Sequence, residues 1–154
     1  MTYEITTTSS DQTQSLARSL APQIQGGATI ELASDLGGGK TTFVQGLAAG
    51  LGYTGRVSSP TFTLSNVYEL SDGRSIHHYD LYRLDEGGIV GQELAEDMAD
   101  PDVITLIEWA GVAQAQLPQD RLIINFNVAG EHDRHIVFSG QGDDTDRVIK
   151  ALQS

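Results

Sequence analysis

Cysteine is absent from the 154 residues, which removes disulfide scaffolds, thiolate zinc sites and cysteine nucleophiles together. Basic residues are scarce. Nine Lys and Arg stand against 21 Asp and Glu, a formal charge of −12 with histidine neutral. Such a surface repels phosphate backbones, and the Arg residues are scattered with no basic patch, so the isolated chain is not expected to bind tRNA or DNA directly. No apolar run approaches the ~20 residues of a membrane span. Met1-Thr2-Tyr3-Glu4 lacks the charged start of a secretory leader, so a cytoplasmic protein is expected. No Pro/Ser-rich linker and no internal repeat divides the chain, and its length suits one domain over residues 1–154.

What is present is alternation and glycine. Tyr3 to Thr7 reads as a short strand, and Ser9, Ser10 and Asp11 offer caps for a helix with Leu16, Ala17, Leu20 and Ala21 on one stripe. Ala28 to Ala33 is a second strand, running into Ser34-Asp35-Leu36-Gly37-Gly38-Gly39-Lys40-Thr41-Thr42. Phe43, Val44, Leu47 and Leu51 then carry helical spacing. Leu64 to Leu70 and Ser75 to Leu81 read as a hairpin about Ser71-Asp72-Gly73, and Glu86 to Met98 as a helix. Val103 to Ile107 is a continuous apolar run, the mark of a strand covered on both faces. Leu122 to Val128 and Arg134 to Phe138 make a second hairpin, and Arg147 to Leu152 a closing helix. Strands alternating with helices predict an α/β fold: a layered, P-loop NTPase-like domain with a central, mostly parallel sheet and added hairpins.

A strand, a glycine-rich turn and a helix opening on Lys-Thr is the layout that holds nucleotide phosphates. Gly37, Gly38 and Gly39 let the backbone curl so that successive N–H groups point inward, and the helix start adds its own donors and positive dipole end. Lys40 is expected to reach the β- and γ-phosphates, Thr41 to hold Mg²⁺ through its hydroxyl, and Thr42 to donate to the α-phosphate. Lys40 should then project into ligand or solvent, outside the core. Ser34 stands where the G-x-x-x-x-G-K-[ST] pattern has its first glycine.

Such a site also needs a carboxylate at the end of a neighbouring buried strand. Glu108, which closes Val103-Ile104-Thr105-Leu106-Ile107-Glu108, has that form and is assigned to the metal. Asp80, set in Tyr79-Asp80-Leu81-Tyr82-Arg83-Leu84, is a second acidic candidate. With Lys40 and Glu108 it forms the expected catalytic set. Ser59-Pro60-Thr61 lies where nucleotide-sensing loops sit, though the same residues serve as plain turn chemistry. Trp109 is either a core-edge ring or a partner-facing or site-lining one. His77 and His78 are adjacent in a strand and point to opposite faces, a poor arrangement for one metal. Together with His132 and His135, they read as structural or solvated. Gly142-Asp143-Asp144-Thr145-Asp146 lacks the spacing of a calcium loop and reads as an acidic first turn. No guanine-reading Asn-Lys-x-Asp is present, which favours ATP over GTP.

Four segments in order carry a resemblance over nearly the whole chain: Ser34 to Phe43, Val57-Ser58-Ser59-Pro60-Thr61-Phe62-Thr63-Leu64, Tyr79 to Leu84, and Leu106-Ile107-Glu108-Trp109. They resemble the bacterial TsaE family of tRNA threonylcarbamoyladenosine biosynthesis ATPases, departing at Ser34, Gly38 and Tyr79, where Gly, Ala and Phe are usual. The resemblance implies a P-loop ATPase that joins the TsaB–TsaD pair. There it supports transfer of a threonylcarbamoyl group onto the adenosine beside the anticodon of ANN-decoding tRNAs. It implies ATP on the phosphate loop, Mg²⁺ on Thr41 and Glu108, and Arg134 approaching the nucleotide. Two other readings stay open: a nucleotide-gated interaction module with incidental hydrolysis, and a small-molecule kinase. The kinase is disfavoured because Arg83, Arg121 and Arg134 form no lid cluster.

The charge balance generates a prediction. Without Lys and Arg to release counterions, the chain alone should bind tRNA more weakly than the roughly 10⁻⁴–10⁻⁶ M of non-specific binders at physiological salt. A mobility-shift titration tests this. Micromolar binding with a steep salt dependence would refute delivery of the protein to tRNA through partners.

Overall fold

A computed structural model describes residues 1–34, 39–58, 65–81 and 88–154. The predicted Ser59-Pro60-Thr61 loop, Asp35 to Gly38 and Tyr82 to Gly87 lie outside the described residues. The elements run β1 (Thr2–Thr7), α1 (Ser10–Leu20), β2 (Thr29–Ala33), α2 (Lys40–Gly50), β3 (Ser65–Glu69), β4 (Ser75–Asp80), α3 (Gly88–Ala99), β5 (Val103–Glu108), β6 (Arg121–Val128), β7 (Arg134–Gln141) and α4 (Asp143–Gln153). A 3-10 turn follows α1 at Ala21–Gln23, and a longer 3-10 stretch joins β5 to β6 at Ala110–Gln116.

The seven strands form one sheet in the order β1-β7-β6-β2-β5-β4-β3. Its centre, β6-β2-β5-β4, is parallel. Each flank is closed by antiparallel pairing, β3 on β4 at one edge and β7 with β1 at the other. This is the mostly parallel sheet with hairpins that the alternation predicts. Two boundaries moved by three residues or more. The second hairpin arm extends to Gln141, and the last helix starts at Asp143, so the acidic turn lies inside the helix, where its carboxylates meet the positive dipole end.

Strand periodicity sorts the side chains into two cores. Ile30 and Leu32 of β2, Ile76 of β4, Ile104 and Leu106 of β5, and Leu122, Ile124 and Phe126 of β6 face α1, α2 and α4. Tyr79, Ile107, Leu94 and Leu117 form the smaller core on the other face. All six residues of β5 are buried, as its unbroken apolar run requires. On the larger face, Phe43 meets Phe126 edge-on at 5.4 Å and Phe138 at 6.2 Å, which fixes the start of α2 against the sheet.

Helix α1 starts where the sequence caps it: Ser9 accepts from the Gln12 N–H at 3.1 Å, and Gln12 Oε1 accepts from the Thr8 N–H at 2.7 Å. It packs so closely on α2 that a Cβ on Gly46 would overlap the backbone carbonyl of Gln14. Gly46→Ala should therefore lower stability by about 1–3 kcal/mol through forced separation of the helices. Urea denaturation checks it, and a change below about 0.5 kcal/mol, the range of ordinary surface substitutions, would mean that the two backbones part freely.

Candidate functional site

Parallel β2, β4 and β5 end side by side. In the ladder, Leu32 is opposite Glu108 and Asp80 is opposite Glu108, so the ends that lead into the glycine-rich segment and into both acidic candidates share one edge. In open α/β sheets that edge is where ligands bind. Side-chain parity refines this. His78 and Asp80 alternate with Ile76 on β4, and Glu108 with Leu106 on β5, so all three sit on the face that carries α2. The sequence-predicted Asp80 and Glu108 are thus brought together at one corner of the sheet.

Lys40 differs from its expectation. It opens α2 but is buried, with 8% of its surface exposed. Its Nζ donates to the carbonyl of Ser34 at 3.3 Å and lies 4.5 Å from the centroid of the Trp109 ring. The aliphatic stem accounts for this, since a lysine can bury its methylenes while its head finds a carbonyl and an aromatic face. Ser34 contributes through its backbone, so the departure from glycine there does not remove this contact. Trp109 is the one non-glycine residue at positive φ among the described residues, at φ 58° and ψ 53°, and its ring also packs against the smaller core. It is both a core-edge ring and a site lining.

Gly39, at φ 98°, precedes α2 in the left-handed region that favours glycine. Thr41 and Thr42 follow in the first turn, half-buried. Beside them stands Arg134 at the start of β7. A Cβ on Gly39 would lie 3.7 Å from Arg134 Nε, while Arg134 Nη1 donates to the carbonyls of Asp133, Gly130 and Glu131 at 2.9, 3.3 and 3.5 Å. A small recess of about 70 Å³ lies here, lined by Ser9, Thr13, Gly39, Thr42, Glu131 and Arg134 among others. Gly37 and Gly38 lie outside the described residues.

The donor set fits a magnesium nucleotide better than an all-protein metal cage. A hydroxyl on Thr41 and a carboxylate on Glu108 are oxygen ligands, few enough to leave positions for phosphates and water. No group of three or more His, Asp or Glu residues suited to a metal occurs among the described residues.

His78, expected to be structural or solvated, is structural. It is fully buried, and its Nε2 lies 3.2 Å from Oε2 of Glu108. Neither ring nitrogen makes an aligned hydrogen bond among the described residues. Reading strand parity from Asp80 back to His78 would have placed them on one face. His77 points to the opposite face as expected, but it belongs to a network: Nδ1 lies 2.8 Å from Asp97 of α3, and Tyr79 donates to the same carboxylate. Burial, then this bond, pushes the Tyr79 hydroxyl far above its ordinary range. Another cavity, of about 230 Å³, opens at the amino ends of β2 and β6 beside Thr29 and Arg121, away from all of the predicted residues. Its two arginines are engaged already, Arg121 with Glu31 and Arg147 with Asp144.

Among the described residues no carboxylate is within ion-pair reach of Lys40 Nζ, and a buried cation without a counter-charge costs stability. Lys40→Met, which keeps the stem, should raise the stability of the ligand-free protein by about 0.5–2 kcal/mol. Chemical denaturation reads it, and a loss of more than about 1 kcal/mol would make Lys40 a structural residue.

Comparison with known proteins agrees with this arrangement. Residues 7–136 match the family model described as threonylcarbamoyl adenosine biosynthesis protein TsaE. The chain is 36% identical over 148 residues to the Bacillus subtilis tRNA threonylcarbamoyladenosine biosynthesis protein TsaE, covering 95% of this chain and 90% of that one. It is 35% identical over 133 residues to the Streptomyces coelicolor protein of the same name, covering 83% and 90%. The crystal structure of Bacillus subtilis YdiB superposes with a TM-score of 0.77 at 30% identity, over 99% of this chain and 95% of that one. The order of motifs, the sheet and these relatives agree, and the chain belongs to the TsaE family.

Proposed function

We propose that this protein is a Mg²⁺-dependent P-loop ATPase working in threonylcarbamoyladenosine biosynthesis on tRNA. It would act with TsaB and TsaD on the adenosine next to the anticodon of ANN-decoding tRNAs. The supporting observation is that Asp80 and Glu108 lie in register at the carboxyl ends of β4 and β5, beside the end of β2, with Lys40 against the ring of Trp109, the residue after Glu108. The names of the relatives supply the pathway.

In this reading the N–H groups of Gly37, Gly38 and Gly39 and the start of α2 bind the phosphates. Lys40 leaves the Ser34 carbonyl to meet the β- and γ-phosphates, and Thr42 donates to the α-phosphate. Thr41 and Glu108 would hold Mg²⁺, whose contribution there would be to offset the charge of the transferring phosphoryl group. Asp80, two residues from His78 on the same strand face, is the remaining acid placed to orient water or metal-bound groups. Arg134, already beside Gly39, borders the nucleotide. The acidic surface makes partner-mediated access to tRNA the natural arrangement, and the TsaB–TsaD pair fills that place.

The test is ATP hydrolysis by Glu108→Gln, with and without the TsaB–TsaD pair. The variant keeps the side-chain shape and loses the charge, so ATP should still bind while hydrolysis falls by about tenfold or more. Hydrolysis at the parental rate would move the metal to Asp80 or Asp35. A variant unable to hydrolyse ATP that still sustains modification would favour nucleotide-gated docking.

A further inference from the structure

Histidine 78 is the buried polar side chain that the proposed chemistry leaves without a task. Its imidazole has no exposed surface, and burying a polar ring without hydrogen bonds is costly. The carboxylate of Glu108 lies 3.2 Å from its Nε2. Glu108 is itself 2% exposed, and a carboxylate so far from water needs a partner. No described residue donates an aligned hydrogen bond to it, so the imidazole is the group placed to fix its orientation. Tyr68 also stands near His78, with ring centroids 6.4 Å apart. The Tyr68 hydroxyl donates to the carbonyl of Ser58 at 2.9 Å, and Asn66 donates to the same carbonyl at 2.9 Å. The imidazole thus neighbours both a ring tied to the Ser58 backbone and the carboxylate at the end of β5.

We infer that His78 is a positioning residue for Glu108: its Nε2–H holds Oε2 so that the other oxygen, Oε1, is presented to the cation of a magnesium nucleotide. Groups that hold a metal ligand in this way typically govern affinity by 10–100-fold when removed. This rests on the metal role given to Glu108. It adds a residue that neither touches the nucleotide nor coordinates, and it explains why two polar side chains tolerate burial in the larger core. The long 3.2 Å contact suits a pair that tightens once the cation draws the carboxylate into place.

The experiment compares His78→Phe and His78→Gln with the parent and with Glu108→Gln, using Mn²⁺ binding to the protein–ADP complex followed by electron paramagnetic resonance. Phe fills the site without a donor. Gln places an amide N–H near the position of Nε2. His78→Phe should weaken Mn²⁺ binding by roughly tenfold or more, leave ADP affinity without metal unchanged, and have no further effect in the Glu108→Gln background. His78→Gln should restore most of the parental affinity. An imidazole ¹⁵N signal that shifts on adding Mg²⁺ to the parent–ADP complex would be an independent sign of the contact.

Parental Mn²⁺ affinity in a folded His78→Phe variant would overturn the proposal, as would a loss with Gln as large as with Phe. Should His78→Phe not fold, the Gln variant and the ¹⁵N shift decide: an affinity lost with Gln, or a signal unmoved by Mg²⁺, refutes it. If Glu108→Gln keeps full Mn²⁺ affinity, the metal assignment itself fails and this inference falls with it. If Glu108→Gln loses affinity and His78→Phe does not, only the role of His78 is refuted.

Discussion

Everything at the candidate site depends on the two-residue period of β4 and β5 and on their mutual register. Asp80 lies opposite Glu108, and both are at even positions of strands whose even positions face α2. A slip of one residue in either strand would turn its acid to the α3 face, away from Lys40, and would expose the apolar partners that anchor it. The register is held by the cores: Ile76, Ile104 and Leu106 are fully buried on one face, and Ile107 is on the other. The same burial that stabilises the sheet therefore aims the carboxylates.

The opposite face fastens the connecting segments. Glu31, the odd-numbered polar residue of β2, accepts from Arg121 at 3.1 Å and from Gln114 at 2.7 Å. This ties the 3-10 stretch and the start of β6 to the central strand. Among the described residues, Glu31 on that face is paired with Arg121, whereas the α2 face holds Lys40 against a neutral carbonyl and a ring, and His78 against one carboxylate without aligned hydrogen bonds. Proteins commonly keep such unfavourable arrangements where a ligand completes them.

Much of this was legible in the chain. The unbroken apolar run ending in Glu108 specified a doubly covered strand and its acid, and Ser9, one of three offered caps, specified a helix start. Gly39 before Lys40-Thr41 specified the turn that opens α2. What stayed hidden depends on distances between segments far apart in sequence. Burial of Lys40 follows from the position of Trp109, 69 residues later and held at positive φ. The contact of His78 with Glu108 joins two strands whose neighbouring pairing is set by the sheet order. Local pattern predicts which face a residue takes, but not which residue waits across from it.

The close approach at Gly46 bears on how force travels. With backbone touching backbone, α1 and α2 are locked against sliding and can move only as one rigid lever. The start of α2 is also pinned by Phe43 between Phe126 and Phe138. Lys40 can then change partners by rotating about its own side-chain bonds, while the helix behind it stays still.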